Sequence, residues 1–375
     1  MERQITLGDV IAPAKVLRCD NDDYPVLSMT MHDGIVLQSN RFKKSLVSID
    51  QSNYKVVLRG QLVVGFPIDE GVIYVQNIAE AGIMSPAYGV WNIHSKEIMP
   101  EYLELCLHSP QSMDYYKNKL RGTTARRRSI TTGDLLALPI ILPSLTEQKR
   151  RIGLFRQTTL LLNSQKQAML KFDELVKSRF VEMFGEPATN PMGWMETTVG
   201  RECYSIKDGP HVSLPDIGRE NGGHPFISVR NIVNHVIDFS TARYISDEDF
   251  ASARKKCCPQ KGDMLYSKGG TTGIAKLIDV DVEFANWVHL AVLKYDKGKL
   301  NGVFFENMLN CDYCYGQSQK LTKGIANRDL VLSAIAQIKI YRPPVELQKR
   351  FAAFVAEVDK SKFLIQKSLA ISRML

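Results

Sequence analysis

No apolar run comes near the ~20 residues that a membrane-spanning helix requires; residues 135–142, among the longest, are interrupted by Pro139. A transmembrane helix is therefore not expected. The opening Met1-Glu2-Arg3-Gln4-Ile5-Thr6-Leu7-Gly8-Asp9 lacks the apolar core and small-residue cleavage site of a signal peptide, so the expected location is cytoplasmic, away from any membrane. Cysteine is sparse and odd in number, at 7 in 375 residues, which argues for reduced thiols rather than a disulfide scaffold. Cys311-x-x-Cys314 has zinc-like spacing, but the adjacent Cys257-Cys258 lacks the gap that lets two sulfurs face one ion. No metal site is expected. Gly269-Gly270-Thr271-Thr272-Gly273 lacks the lysine and the helix-opening hydroxyl of a phosphate-binding loop. GxGxxG, HExxH and GxSxG motifs are missing, and the 7 histidines are scattered. The aromatic-flanked Asn-Pro-Pro with which amino methyltransferases hold an extruded adenine is absent too; the sole Pro-Pro, Pro343-Pro344, follows Arg342. Nothing nominates a nucleophile or a cofactor site, so the chain is not expected to be an enzyme.

What is present is the balance of a globular protein, 44% hydrophobic and 23% charged, long enough for two domains. An excess of 48 Lys+Arg over 40 Asp+Glu favours polyanionic partners. The sequence also repeats itself. Thr6-Leu7-Gly8 returns as Thr198-Val199-Gly200, and Gly60-Gln61-Leu62 as Gly262-Asp263-Met264. Gly122 returns as Gly324, and Gln148-Lys149-Arg150 as Gln348-Lys349-Arg350. Each copy ends at a proline-announced helix. Pro143 stops a strand-like run, Ser144 and Glu147 have capping-box spacing, and a helix should start near Thr146. Ile152, Phe155, Leu162, Met169, Val176 and Met183 mark one apolar stripe, ended by Gly185 and the Asn190-Pro191 step. A second stripe, Phe351, Val355, Val358, Ile365 and Leu369, belongs to a helix from about Val345 that is some ten residues shorter. Such helices are best buried against each other as an antiparallel, coiled-coil-like pair.

The expected architecture is α/β (α+β), with an internal pseudo-twofold repeat: a first domain at 1–143, a spacer helix at 144–185, a second domain at 186–342 and a second spacer helix at 343–375. Within the domains, residues 54–58, 62–64 and 264–266 are strand-like, 101–119 are helix-like, and Trp91, Trp194 and Trp287 are assigned to the core.

Positive charge is clustered. Between Tyr115 and Gly133 stand Lys117, Lys119, Arg121, Arg126, Arg127 and Arg128 with no acid, among Tyr, Thr and Ser side chains suited to phosphate. The bland alternative is a solvated helix end and loop. The second copy has Lys320, Lys323 and Arg328 at the same place. A further cluster joins Arg254, Lys255, Lys256, Lys261 and Lys268 to the loop containing Thr271 and Thr272, whose glycines allow backbone amides to approach a phosphate. His211, Arg230 and Asn231 are polar side chains able to read base edges, arginine suiting guanine and asparagine adenine.

In the second copy, Asp208-Gly209-Pro210-His211, residues 225–232, Tyr244-Ile245-Ser246, Lys261-Gly262-Asp263 and Ser267-Lys268-Gly269-Gly270-Thr271-Thr272-Gly273 resemble, in order and spacing, a target-recognition domain of type I restriction-modification specificity subunits. In the first copy, residues 24–28, 54–57, 83–88 and 142–148 resemble another variant of it. The resemblance covers nearly the whole chain. It implies a non-catalytic reader of double-stranded DNA whose two target-recognition domains, separated by paired helices, each take half of a bipartite sequence. It further implies two docked modification subunits that use S-adenosylmethionine to methylate adenine, and a restriction subunit that adds ATP-driven translocation and cleavage, with no cofactor on this chain. Two other readings stay open: an assembly scaffold that binds DNA without sequence preference, and a free-standing DNA-modifying enzyme. Leu347-Gln348 stands where the first copy has Glu147-Gln148, which leaves the second helix without the usual start. The end at Leu375 omits a counterpart of residues 175–184, which should weaken contact with a partner subunit.

Overall fold

The computed structural model describes residues 2–19, 24–31, 33–41, 52–120, 129–324 and 328–374. They form two compact units, Met1–Leu161 and Leu162–Leu375, each a mixture of helices and mainly antiparallel sheets. The first unit opens and closes on one two-stranded sheet, Arg3–Thr6 against Pro139–Leu142. The second does the same with Met195–Thr198 against Lys339–Arg342. Each also holds a four-stranded antiparallel sheet of identical connectivity. Its spatial order is Ile11–Pro13, Gly89–Ile93, Leu62–Val64, Ile73–Val75 in the first unit, and Cys203–Asp208, Leu290–Tyr295, Met264–Ser267, Ala275–Leu277 in the second. The internal repeat is thus a repeat of topology. The copies diverge in their additional sheets: Leu17–Arg18, Lys55–Leu58 and Ala81–Met84 are all antiparallel, whereas His224–Ile227 pairs antiparallel with Arg243–Ile245 and parallel with Ala285–Asn286.

The repeated sequence anchors hold this frame together. Leu7 and Val199 are fully buried, and their amides donate to the carbonyls of Leu138 and Ile338 at 2.9 Å. The glycine that follows is closely packed in both copies, most tightly at Gly200. A Cβ on Gly200 would stand 2.9 Å from both Cβ and O of Ala336, and one on Gly8 would stand 3.3 Å from the same atoms of Leu136. The glutamine of the Gln-Lys-Arg repeat is buried in both copies. Gln148 Oε1 accepts the Met99 amide at 2.8 Å, while Nε2 donates to the carbonyls of Glu97 at 2.7 Å and Pro143 at 3.0 Å. Gln348 repeats the pattern with Asn301 at 2.8 Å, Lys299 at 3.1 Å and Pro343 at 2.7 Å. One side chain therefore fastens the first turn of a long helix to the outgoing strand and to the start of a second helix, Pro100–Leu107 or Gly302–Asn310.

The long helices run Leu145–Phe184 and Val345–Met374, 40 and 30 residues. Ser144 Oγ accepts the Glu147 amide at 3.3 Å. At the second helix the Pro344 carbonyl takes the amides of Leu347 and Gln348 instead, and Glu346 pairs with Lys349 at 2.7 Å. Within the second unit the two helices are antiparallel: Phe180 meets Phe351, Asp173 meets Lys362 and Gln165 meets Ser368, so one number rises as the other falls. Most of the first stripe is at least half-buried, but Phe155 is 58% exposed. The helix-like stretch 101–119 is two helices, Pro100–Leu107 and Pro110–Lys119. Pro110 has no N–H to continue the first, and Ser109 Oγ caps the second by accepting the Ser112 amide at 3.2 Å. Among the described residues no helix is long and apolar enough to cross a membrane, and no group of three or more His, Cys, Asp and Glu could hold a metal.

Candidate nucleic-acid interface

In the second unit the fold gathers clusters that lie about fifty residues or more apart in sequence. Asp208 ends its strand beneath the Gly-Thr loop and is buried. Its Oδ1 accepts from Lys256 Nζ at 2.8 Å; its Oδ2 lies 3.6 Å from Lys268 Nζ and 3.3 Å from His211 Nε2. Burial opposes the charge on Asp208, but the hydrogen bond and charge of Lys256, with Lys268 and His211, hold its pKa below the ordinary carboxylate value. Lys268 is buried as well and also donates to Asp329 Oδ1 at 3.1 Å. Asp329 in turn closes the basic loop, exchanging backbone hydrogen bonds with Lys323 at 2.9 Å.

The three glycine amides of the Gly-Thr loop are committed within the fold. Gly269 and Gly270 donate to the carbonyls of His289 and Arg328, and Gly273 donates to Ser267. Gly269 is glycine because a Cβ there would fall 2.0 Å from His289 Nδ1. Thr272 is buried; Thr322 Oγ1, 3.0 Å away, commits its own proton to the Ser318 carbonyl, so Thr272 donates to it. Arg328 donates to Gln319 Oε1 and reaches Thr272 Oγ1 at 3.5 Å, while Gln319 Nε2 donates to the Thr272 carbonyl at 3.0 Å. The two loops are thus one interlocked surface. Lys320, Lys323 and Thr271 are exposed on it, as is His211.

Three expected DNA-contacting side chains are turned inward. Asn231 is 1% exposed; its Oδ1 accepts the Ser228 amide at 2.9 Å and its Nδ2 donates to the Asp238 carbonyl at 2.9 Å, leaving nothing to offer a base edge. Lys268 and Thr272 are occupied as described. All three shape the loops that carry their neighbours. Arg230 is exposed and donates to the Thr241 carbonyl at 2.7 Å. The sequence alone does not single out Asp329, Gln319 or the two buried glutamines as site or frame residues; only the recurrence of Gln148 and Gln348 at the same place in both copies could flag any of them.

In the first unit, Arg121, Arg126, Arg127 and Arg128 lie outside the described residues. Lys117 is exposed and 3.8 Å from Asp114; Lys119 is 3.7 Å from Asp134 and 5.9 Å from the centre of the Tyr115 ring. The stretch has no acid of its own, yet the acids flanking it reach both lysines. Arg128 and Arg328 correspond in the repeat, as do Arg121-Gly122 and Lys323-Gly324.

Residues 211–371, which include this whole surface from His211 onward, match the type I restriction modification DNA specificity domain. That segment of the second unit is similar to this family's DNA specificity domain. The fold agrees. The S subunit of a type I restriction-modification system from M. genitalium is similar over 100% of this chain and 93% of its own, with a TM-score of 0.55 at 13% identity. A chain from a structure on assembly and conformational transition of the type I restriction-modification system is similar over 100% of this chain and 95% of its own, with a TM-score of 0.59 at 18% identity.

On a specificity domain the inward and outward lysines should behave differently. Replacing exposed Lys320 and Lys323 with alanine should make the dependence of log K on log salt shallower, by about 0.9 for each phosphate no longer neutralised. Lys268→Gln should leave that slope unchanged. Fluorescence anisotropy on duplex DNA across a salt series separates the two.

Proposed function

We propose that the chain is the DNA-reading, non-catalytic component of a type I restriction-modification complex. Each repeat reads one half of a bipartite duplex target, and the long helices set the number of base pairs between the halves. The observation that carries this reading is the repetition of one frame together with a basic stretch of sequence at the same place in each copy, 121–128 and 320–328, the second within the segment that matches a specificity domain. Joining two modest readers raises affinity and fixes register, because binding of the first half presents the second at high effective concentration. Two modification subunits dock on this chain and supply S-adenosylmethionine-dependent adenine methylation, with the base flipped into their own pocket. ATP-driven translocation and cleavage belong to restriction subunits added to that assembly. The side chains assigned to DNA are Lys117, Lys119, Arg121, Arg126, Arg127 and Arg128 in the first copy, and His211, Arg230, Thr271, Lys320 and Lys323 in the second.

The test is co-expression with the modification subunit of the same system, followed by genome-wide mapping of methylated adenines. The expected result is one bipartite motif with a constant gap, one half of which changes when residues 1–143 are exchanged for those of another such chain. Methylation without a bipartite motif, or a stable complex that methylates nothing, would overturn the reading.

A further inference from the structure

The two copies place a pair of like side chains at the same turn. In the first unit Ser109 is the N-cap of the helix Pro110–Lys119, and Ser112 is buried in its first turn. Ser109 Oγ accepts the Ser112 amide and lies 3.2 Å from Ser112 Oγ. The offset that carries Gly122 to Gly324 carries these serines to Cys311 and Cys314. Cys311 is the N-cap of the helix Asp312–Leu321, and Cys314 is fully buried in its first turn, where Sγ donates to the Lys339 carbonyl at 3.5 Å. Serine serves this turn in the first copy, so the turn itself needs no sulfur. The second copy adds a property that hydroxyls lack, oxidation to a disulfide.

The geometry suits that reaction. The N-cap and the third helical residue face each other across one turn, and the two thiols hydrogen-bond to one another. That bond lowers the pKa of Cys311 against the opposing effect of burial; together with burial it raises that of Cys314. The start of a helix favours a thiolate in the same direction. Cys311 is partly exposed and Cys314 is sealed beneath it, so a reagent from solution meets Cys311 first. Burial pushes the thiols of Cys106, Cys203 and Cys257 upward instead. Among the described residues no third ligand joins the pair to make a metal group.

We propose that Cys311 and Cys314 are a redox-active dithiol that closes reversibly to a disulfide by exchange with small disulfides such as oxidised glutathione. The Cys311 thiolate attacks one glutathione sulfur; the glutathione disulfide bond breaks, and one glutathione leaves, taking up the proton that Cys311 gave up. Cys314 then attacks Cys311 Sγ, breaks the mixed disulfide and passes its own proton to the second glutathione. Two thiols lose two electrons in all, and one small disulfide gains them. Closure takes Cys314 Sγ from the Lys339 carbonyl. Gln317 of the same helix also holds Lys339, at 3.0 and 2.9 Å, and Gln319 and Lys320 follow it into the basic surface. The oxidised turn therefore lies on the element that supports that surface.

The test reads thiols and contains no DNA, so its failure would leave the DNA-reading function untouched. The intact chain is equilibrated in buffers of rising oxidised-to-reduced glutathione ratio, quenched in acid, blocked with N-ethylmaleimide and digested with trypsin. Residues 300–320 form one tryptic peptide that holds Cys311 and Cys314 and no other cysteine. This peptide is expected to pass from two labels to none, with loss of two hydrogens, at a ratio about tenfold lower than any that oxidises Cys203 or Cys257. Dithiothreitol should restore both labels. Cys314→Ser should stop the reaction at a glutathione adduct on Cys311, and Cys311→Ser should leave Cys314 labelled at every ratio. Each variant introduces the residue that the first copy already carries at that place. Two labels at every ratio would overturn the proposal, as would a Cys311 adduct that never closes in the unaltered chain. Adduct formation first on Cys314 would overturn the assigned order of attack.

Discussion

Gln348→Leu is expected to lower the unfolding midpoint of the second unit by about 10 °C. Leucine fills nearly the same volume but leaves the Asn301 amide and the carbonyls of Lys299 and Pro343 without their partner in a buried position. Each orphaned group costs about 1–3 kcal/mol, so the three together cost roughly 3–9 kcal/mol. That is a large part of the ~5–15 kcal/mol that separates most folded domains from their unfolded chains. At ~2–4 °C per kcal/mol for a domain of this size, the shift should be plain in a calorimetric scan. Gln348→Glu should do no better at neutral pH, because it keeps an acceptor for the amide but sets a carboxylate against two carbonyl oxygens. Gln148→Leu should act alike on the first unit through Met99, Glu97 and Pro143. A midpoint that moves by no more than a degree or two would show that the glutamine is a bystander of the helix start.

Arg126, Arg127 and Arg128 changed together to alanine should weaken binding to every duplex at least tenfold, and should flatten the salt dependence by up to about 2.7, three phosphates at ~0.9 each. The effect should be independent of sequence, because phosphate contacts position a reader without choosing its target. His211→Ala should instead change which sequences are preferred and leave the slope nearly as it was. Asn231→Ala is expected to do neither directly. Its amide bridges the Ser228 turn to Asp238, so its loss should loosen the 228–241 loop and lower stability before it alters preference. Anisotropy titrations on matched and scrambled duplexes at several salt concentrations distinguish the three results. An unchanged slope in the triple arginine variant would remove Arg126, Arg127 and Arg128 from the interface.

The frame is legible in the sequence because its signals are local. Pro143 and Pro343 stop strands, the apolar stripes mark two long helices, and the repeated Thr-x-Gly and Gln-Lys-Arg anchors tie each copy to one plan. The length of the first helix follows from its periodicity between Pro143 and Gly185. The break at Pro110 is local too, but amphipathic spacing continues across it and hides it. The site is less legible. Whether Lys268 faces water or Asp208 depends on residues 60 positions away, and Thr272 depends on Thr322 fifty positions on. Composition registers a lysine in a glycine-rich loop as a phosphate ligand; only the tertiary fold shows that two carboxylates already hold it. Asn231 misleads for the same reason, a side chain suited to adenine being equally suited to a tight turn.

The two-stranded sheets that open and close each unit have a consequence for how such chains can change. Arg3 lies opposite Leu142 and Met195 opposite Arg342, so the polypeptide leaves each globular segment beside the point where it came in. A segment bounded in that way is a cassette. Its interior can be exchanged for another of different loops and length, or cut open at a surface turn and rejoined across the old ends, without the flanking helices having to move.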